Sequence, residues 1–150
     1  MMTTSGRSVG LAAPEFRGVI ERVKIIEYAQ ALGLRNPIHF DVAAARAAGY
    51  QDVVVPAGFM NPFSLQPRAW KFDTFKINEH AALAGEWSWD IHAPVCAGDE
   101  LHGRSVLIEL SEKQGKRPMD VLVIETKYLN EKNENVVTVR DVTLEFKDHK

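Results

Sequence analysis

The stretch "MDVLVIETKYLNEKNENVVTVRDVTLEF", Met119 to Phe146, decides the fold class. Two runs rich in valine, isoleucine and threonine flank the polar segment "NEKNEN". β-Branched side chains pack well on a pleated surface, and a polar break lets two such runs fold back as antiparallel strands. Outward from this hairpin, "RSVLIEL" (Arg104–Leu110) is a third β-rich run, set off by the turn "SEKQGKRP". In "EWSWDIH" (Glu86–His92), Trp87, Trp89 and Ile91 alternate with Glu86, Ser88, Asp90 and His92. That period of two marks a half-buried strand. A short strand at "RGVIE" (Arg17–Glu21) precedes the first helix.

The first half of the chain reads differently. In "ERVKIIEYAQAL", Ile25, Tyr28, Ala29 and Leu32 fall at i, i+3, i+4 and i+7, one face of an amphipathic helix, and Gly33 supplies its stop. "DVAAARAAG" is a second, short helix with Asp41 as N-cap and Gly49 as its C-terminal stop. A third helix is expected within "AGFMNPFSLQPRAW", its limits blurred by Pro62 and Pro67. Helices followed by long antiparallel strands mean an α+β fold. The sheet needs cover on its apolar face, and the segment around Phe59, Met60, Phe63 and Leu65 is the candidate. A curved antiparallel sheet wrapped around a long central helix is the hot-dog arrangement. Residues 1–15 are expected as a partly mobile N-terminal arm, and 16–150 as one domain.

Composition narrows the function. The chain has 150 residues, of which 45% are hydrophobic and 25% charged, with a formal net charge of −2. No basic block tracks a phosphate backbone, which argues against nucleic acid. No apolar run approaches the roughly 20 residues that span a bilayer, so no membrane partner is expected. The single cysteine, Cys96, excludes an internal disulfide and fits a reducing cytoplasm. Its bland reading is a small core or loop residue. His80, His92, His102 and His149 lack metal-ligand spacing, so no metal is expected. No glycine-rich nucleotide loop is present, so no redox cofactor is implied. Trp87 and Trp89 are read as core or dimer-interface residues. Arg68 and Lys71 are read as surface charge, with a place near a carrier phosphate as the alternative.

Three further pieces, "GLRNPIHFD", "AAGYQDVVVPAGF" and "PVCAGDEL", resemble the MaoC-like family of hot-dog enoyl-thioester hydratases and hydroxyacyl-thioester dehydratases. The resemblance runs from about Phe16 to Phe146 and looks closest to the MaoC-like N-terminal dehydratase domains. It implies a substrate carried as a coenzyme A or acyl-carrier-protein thioester, with no cofactor besides. It also implies a homodimer, or a heterodimer with a second MaoC-like subunit. The family signature Gly-Asp-x-Asn-Pro-x-His places its aspartate and histidine as general acid and base. Here Gly33, Asn36, Pro37 and His39 match it, while Leu34 stands where the aspartate belongs. The resemblance thus makes His39 and Asn36 the catalytic candidates. Leu34, Gly58 and Phe59 become candidates for contact with substrate, Gly58 through an amide that polarises the thioester carbonyl.

Leucine can neither hold a water nor move a proton. Three readings of Leu34 stay open. The chain is the half of a heterodimer that shapes an acyl tunnel while a partner supplies the acid and base; or His39 works with another group in an altered reaction on an enoyl thioester; or the protein only binds acyl thioesters. Asp41 and Asp52 lie near in sequence, but Asp41 is read first as a helix cap. The hot-dog thioesterases and the type II hydroxyacyl-carrier-protein dehydratases are demoted, because "GFMNPFSLQPRAW" offers no acidic residue for the central helix.

Overall fold

The computed structural model of the chain describes residues 6–61, 65–66 and 68–147. Five antiparallel strands form one curved sheet: β1 (Phe16–Val19), β2 (Ala82–Ile91), β3 (Glu100–Lys113), β4 (Met119–Leu129) and β5 (Asn135–Phe146). Their spatial order is β1-β3-β4-β5-β2. The hairpin of Met119–Phe146 is β4–β5, pairing Met119 with Phe146 and Tyr128 with Val137. The expected strands are all present, and β2 and β3 extend beyond the runs that announced them. Three register shifts, between Ala84 and Glu86 on β2, between Leu107 and Glu109 on β3 and between Tyr128 and Leu129 on β4, mark bulges or irregularities. An extra residue on one strand bends it and increases the local twist, which suits a sheet that must wrap a core.

Three short helices precede the long strands: α1 (Arg22–Ala31), α2 (Val42–Ala47) and α3 (Arg68–Thr74). Gly33 ends α1 with a left-handed φ of +66°. Its N–H donates to the Gln30 carbonyl and the Leu34 N–H to the Ala29 carbonyl, closing a Schellman stop. Gly49 and Tyr50 repeat the pattern after α2. Asp41 caps α2 as read, its carboxylate accepting from the Ala44 N–H at 2.7 Å.

One expectation about the helices needs correction. The long central helix is a seven-residue helix beginning at Arg68, and Phe59 and Met60 lie in non-helical chain ahead of it. Phe63, Pro62 and Pro67 fall outside the described residues. Phe59 and Met60 still bury against Ile25, Val95, Tyr128 and Val137, so this segment covers part of the sheet without being a helix. α3 covers the rest: Phe72 and Phe75 pack with Leu107, Leu122 and Ile124. The N-terminal arm is described from Gly6 onward. From Gly10 to Ala13 it is hydrogen-bonded along β3, and the Arg7 side chain is buried against Asp120 and Glu145. An arginine drawn into a carboxylate pair anchors a segment that composition alone marks as loose.

Lys71 is neither surface charge nor a phosphate ligand. It is 5% exposed, and its ammonium donates to Asp141 Oδ2 and Thr143 Oγ1, both at 2.6 Å. This pair pins α3 to β5 across 70 residues of sequence. Removing one member of a buried pair strands the other charge, so Lys71→Met is expected to destabilise the fold by about 3–5 kcal/mol. Chemical denaturation checks this, and an unchanged midpoint would show that the pair holds nothing.

Candidate functional site

The turn that delivers the histidine is a single 3₁₀ turn, Pro37–His39. Proline presets the backbone for it, and Asn36 caps it, its side-chain oxygen accepting from the Ile38 N–H at 3.2 Å. Asn36 itself is exposed and acts on the site through that turn. Two hydrogen bonds then fasten the turn to the chain at Val54. The Val54 N–H donates to the Ile38 carbonyl at 3.1 Å, and His39 Nδ1 lies 2.7 Å from the Val54 carbonyl. A carbonyl can only accept, so Nδ1 carries the proton and, in the neutral ring, Nε2 keeps its lone pair. That is the tautomer a general base requires.

The Val54 segment is in turn part of a small ladder. Val55 donates to the Val95 carbonyl and Ala97 to that of Val53, both at 2.9 Å, with a bridge between Val54 and Cys96. The "PVCAGDEL" turn is thus the support for the histidine's acceptor, and Asp99 ties it by accepting from the Cys96 N–H at 2.8 Å. Cys96 is buried, and desolvation pushes its thiol above the ordinary range, which matches a core residue.

Val54 is also one wall of an apolar cavity of about 340 Å³, lined with it by Tyr50, Pro56, Gly58, Met60 and Trp89, and by Ile91 and His92 at the end of β2. Gly58 has a φ of +84°, and its amide makes no hydrogen bond among the described residues. The segment after it is gripped from the sheet. The Trp89 indole N–H donates to the Met60 carbonyl at 2.5 Å, and the Tyr128 hydroxyl donates to the Asn61 carbonyl. Burial holds the Tyr128 hydroxyl protonated far above its ordinary range. A polar depression of about 450 Å³, lined by Gln51, Asp99, Glu100 and Lys132 among others, shares Ala93 and Pro94 with the cavity.

The structure therefore brings the predicted residues only partly together. Gly58 lines the cavity; His39 is not among the lining residues and touches one of them, Val54, through its carbonyl. Leu34 is half-buried at the α1 stop, and Phe59 is a core residue set edge-on to Tyr28 at 5.4 Å; neither is among the cavity-lining residues. Sequence reading missed Trp89 and Tyr128 as anchors of the glycine segment. A buried tryptophan or tyrosine needs a partner for its polar atom, the only signal available, and it does not say which carbonyl.

One electrostatic contact steadies the region. Arg22 on α1 forms a two-pronged bond with Asp52, at 2.9 and 2.6 Å, directly before the Val53–Val55 ladder. Its guanidinium holds the Asp52 carboxyl below the usual range. A carboxyl lowered in the folded state lends stability above its unfolded pKa, about 4, and loses it as pH falls through the folded value. Asp52→Asn is accordingly expected to lower the melting temperature near neutrality, and the gap from the parent should close in acid. Melting curves across pH check this; a gap that widens in acid would overturn the assignment.

A family model described as FAS1-like, dehydratase domain region, matches residues 7–139. A UPF0336 protein of Streptomyces coelicolor is 33% identical over 141 residues, covering 89% of this chain and 86% of its own. One of Clavibacter michiganensis is 38% identical over 99 residues, 64% of each chain. Among solved structures, a MaoC-like dehydratase superposes with a TM-score of 0.80 at 26% identity, over 93% of this chain and 42% of that one. The HadBC (3R-hydroxyacyl-ACP dehydratase) complex of Mycobacterium tuberculosis gives 0.77 at 23% identity, over 96% and 99%. The (R)-hydratase PhaJ1 of Pseudomonas aeruginosa gives 0.68 at 19%, over 96% and 85%.

Proposed function

The chain belongs to the FAS1-like dehydratase region family, within the hot-dog dehydratases and hydratases, and on that premise we propose that it serves the reversible addition of water to a 2-enoyl thioester as one subunit of a hot-dog pair. The carrying observation is the 2.7 Å contact between His39 Nδ1 and the Val54 carbonyl. It fixes the imidazole in the tautomer whose free nitrogen takes a proton, and its acceptor, Val54, is a residue of the cavity wall.

Hydration needs a base for water, a proton for the α-carbon and donors for the oxygen that gains charge. In this reading His39 Nε2 takes a proton from water as the water oxygen bonds to the β-carbon. The alkene electrons move onto the thioester oxygen, beside the Gly58 amide. The imidazolium returns the same proton to the α-carbon, or a partner's acid supplies one in place of what Leu34 lacks and recovers it, through solvent, from the imidazolium. The polar depression beyond Ala93 and Pro94 offers room for a polar carrier arm. No step calls for a metal or a redox group.

The pairing rests on β2. It is the end strand of the sheet, and its outer edge is unpaired among the described residues. Ile91, 56% exposed, stands at this edge and lines the cavity. An unpaired edge beside exposed apolar side chains is a template for another strand. A second subunit set there would bury Ile91 and complete the cavity's open side. Two of the similar structures are complexes of two different chains, HadBC and ChsH1–ChsH2 of Mycobacterium tuberculosis.

The test is hydration of crotonyl-CoA by the purified chain, alone and mixed with MaoC-like partner chains. Activity is expected in the mixture, with His39→Ala reducing it by about 10²–10⁴-fold. Leu34→Asp is expected to raise the activity of the chain alone. If the mixture turns over and His39→Ala matches the parent, this histidine is not the base. If no mixture turns over but the chain binds acyl-CoA, the non-catalytic binding reading replaces this one.

A further inference from the structure

The Gly58 amide is one donor for a thioester oxygen, and donors of this kind act best in pairs. A Cβ built on Gly58 would lie 3.0 Å from the Tyr28 hydroxyl and 3.8 Å from two ring carbons of Trp89. The glycine is therefore what leaves room between a phenol and an indole. The Tyr28 hydroxyl, like the Gly58 amide, makes no hydrogen bond among the described residues. Two donors without protein acceptors thus lie close together, and one of them, Gly58, lines the cavity.

From this juxtaposition we infer that Tyr28 is a second catalytic donor, its hydroxyl and the Gly58 amide together holding the thioester oxygen as it gains charge. The inference deepens the hydratase reading and rests on it. Its support is mechanical as well as chemical. Tyr28 stands on α1, a rigid element closed by the Gly33 stop and clamped through Arg22 to Asp52. Its ring is set edge-on to Phe59, the residue after Gly58, at 5.4 Å and 89°. The hydroxyl and the amide are thereby fixed relative to each other before substrate arrives, and a donor already in place costs no reorganisation during reaction. The hydroxyl donates a hydrogen bond and keeps its proton, so the proton balance through His39 is unchanged. Substrate would displace nothing between the two donors, because neither serves the fold.

A conjugated dienoyl-CoA tests this, since its absorbance moves to longer wavelength when the thioester oxygen is polarised. The full chain, alone and with its partner, is titrated and compared with Tyr28→Phe. The expected result is a red shift on binding to the parent that is largely lost in Tyr28→Phe, with affinity and melting temperature little changed. In turnover, kcat should fall by about 10²–10³-fold while KM stays close to the parent value. An equal red shift and equal kcat in both proteins overturn the role of Tyr28 and leave the hydratase reading standing. No red shift in the parent overturns the thioester site itself, and the role of Tyr28 with it. Should Tyr28→Phe fold poorly, replacing Tyr28 by 3-fluorotyrosine keeps ring and hydroxyl. That stronger donor should enlarge the shift, and an unaltered shift counts against the inference.

Discussion

The exchange of two hydrogen bonds between the Pro37–His39 turn and Val54 is the constraint on which the rest of the site depends. One bond joins main chain to main chain and sets the distance between turn and ladder. The other uses the imidazole itself, so ring orientation and proton position follow from the same contact. Each part around it has a stated purpose in this light. Proline and a capped asparagine make the turn, the Val95–Ala97 segment holds Val54, and Arg22 with Asp52 ties α1 to the approach. The histidine is positioned by backbone rather than by a neighbouring charge.

Along the same cavity, the glycine segment is held by sheet aromatics. Trp89 and Tyr128 both give their polar hydrogens to main-chain carbonyls after Gly58. Aromatic rings also pack on one another in the core: Phe16 meets Trp70 at 5.1 Å and Tyr128 at 6.0 Å, and crosses over Gly103, where a Cβ would fall 2.1 Å from the ring. Apolar burial and donor placement are therefore served by the same side chains. This couples packing in the core to the geometry at the cavity.

Much of the fold was legible because it depends on local chemistry. Alternation in "EWSWDIH", the polar turns and the two helix-stopping glycines each leave a mark within a few residues. The failures were long-range. Lys71 looks like an ordinary surface lysine until Asp141 and Thr143, on a strand 70 residues away, come to face it. Arg7 reads as part of a loose arm until Asp120 and Glu145 meet it. The helix expected near Phe59 failed for another reason: its apolar spacing reflects cover for the sheet, which extended chain supplies as well as a helix does. At the site, motif spacing led to His39 and Gly58, but not to the Tyr28 hydroxyl. A tyrosine on an apolar helix face counts as core until its partner across space is known.

The stop that closes α1 is built from main-chain atoms alone, with Gly33 taking the left-handed turn and residue 34 contributing only its N–H. Architecture at that point is thus indifferent to which side chain follows the glycine. A lineage could exchange an acid for a hydrocarbon there, or back again, without disturbing the scaffold. Folding of that turn and the choice of side chain after it are in this way separable.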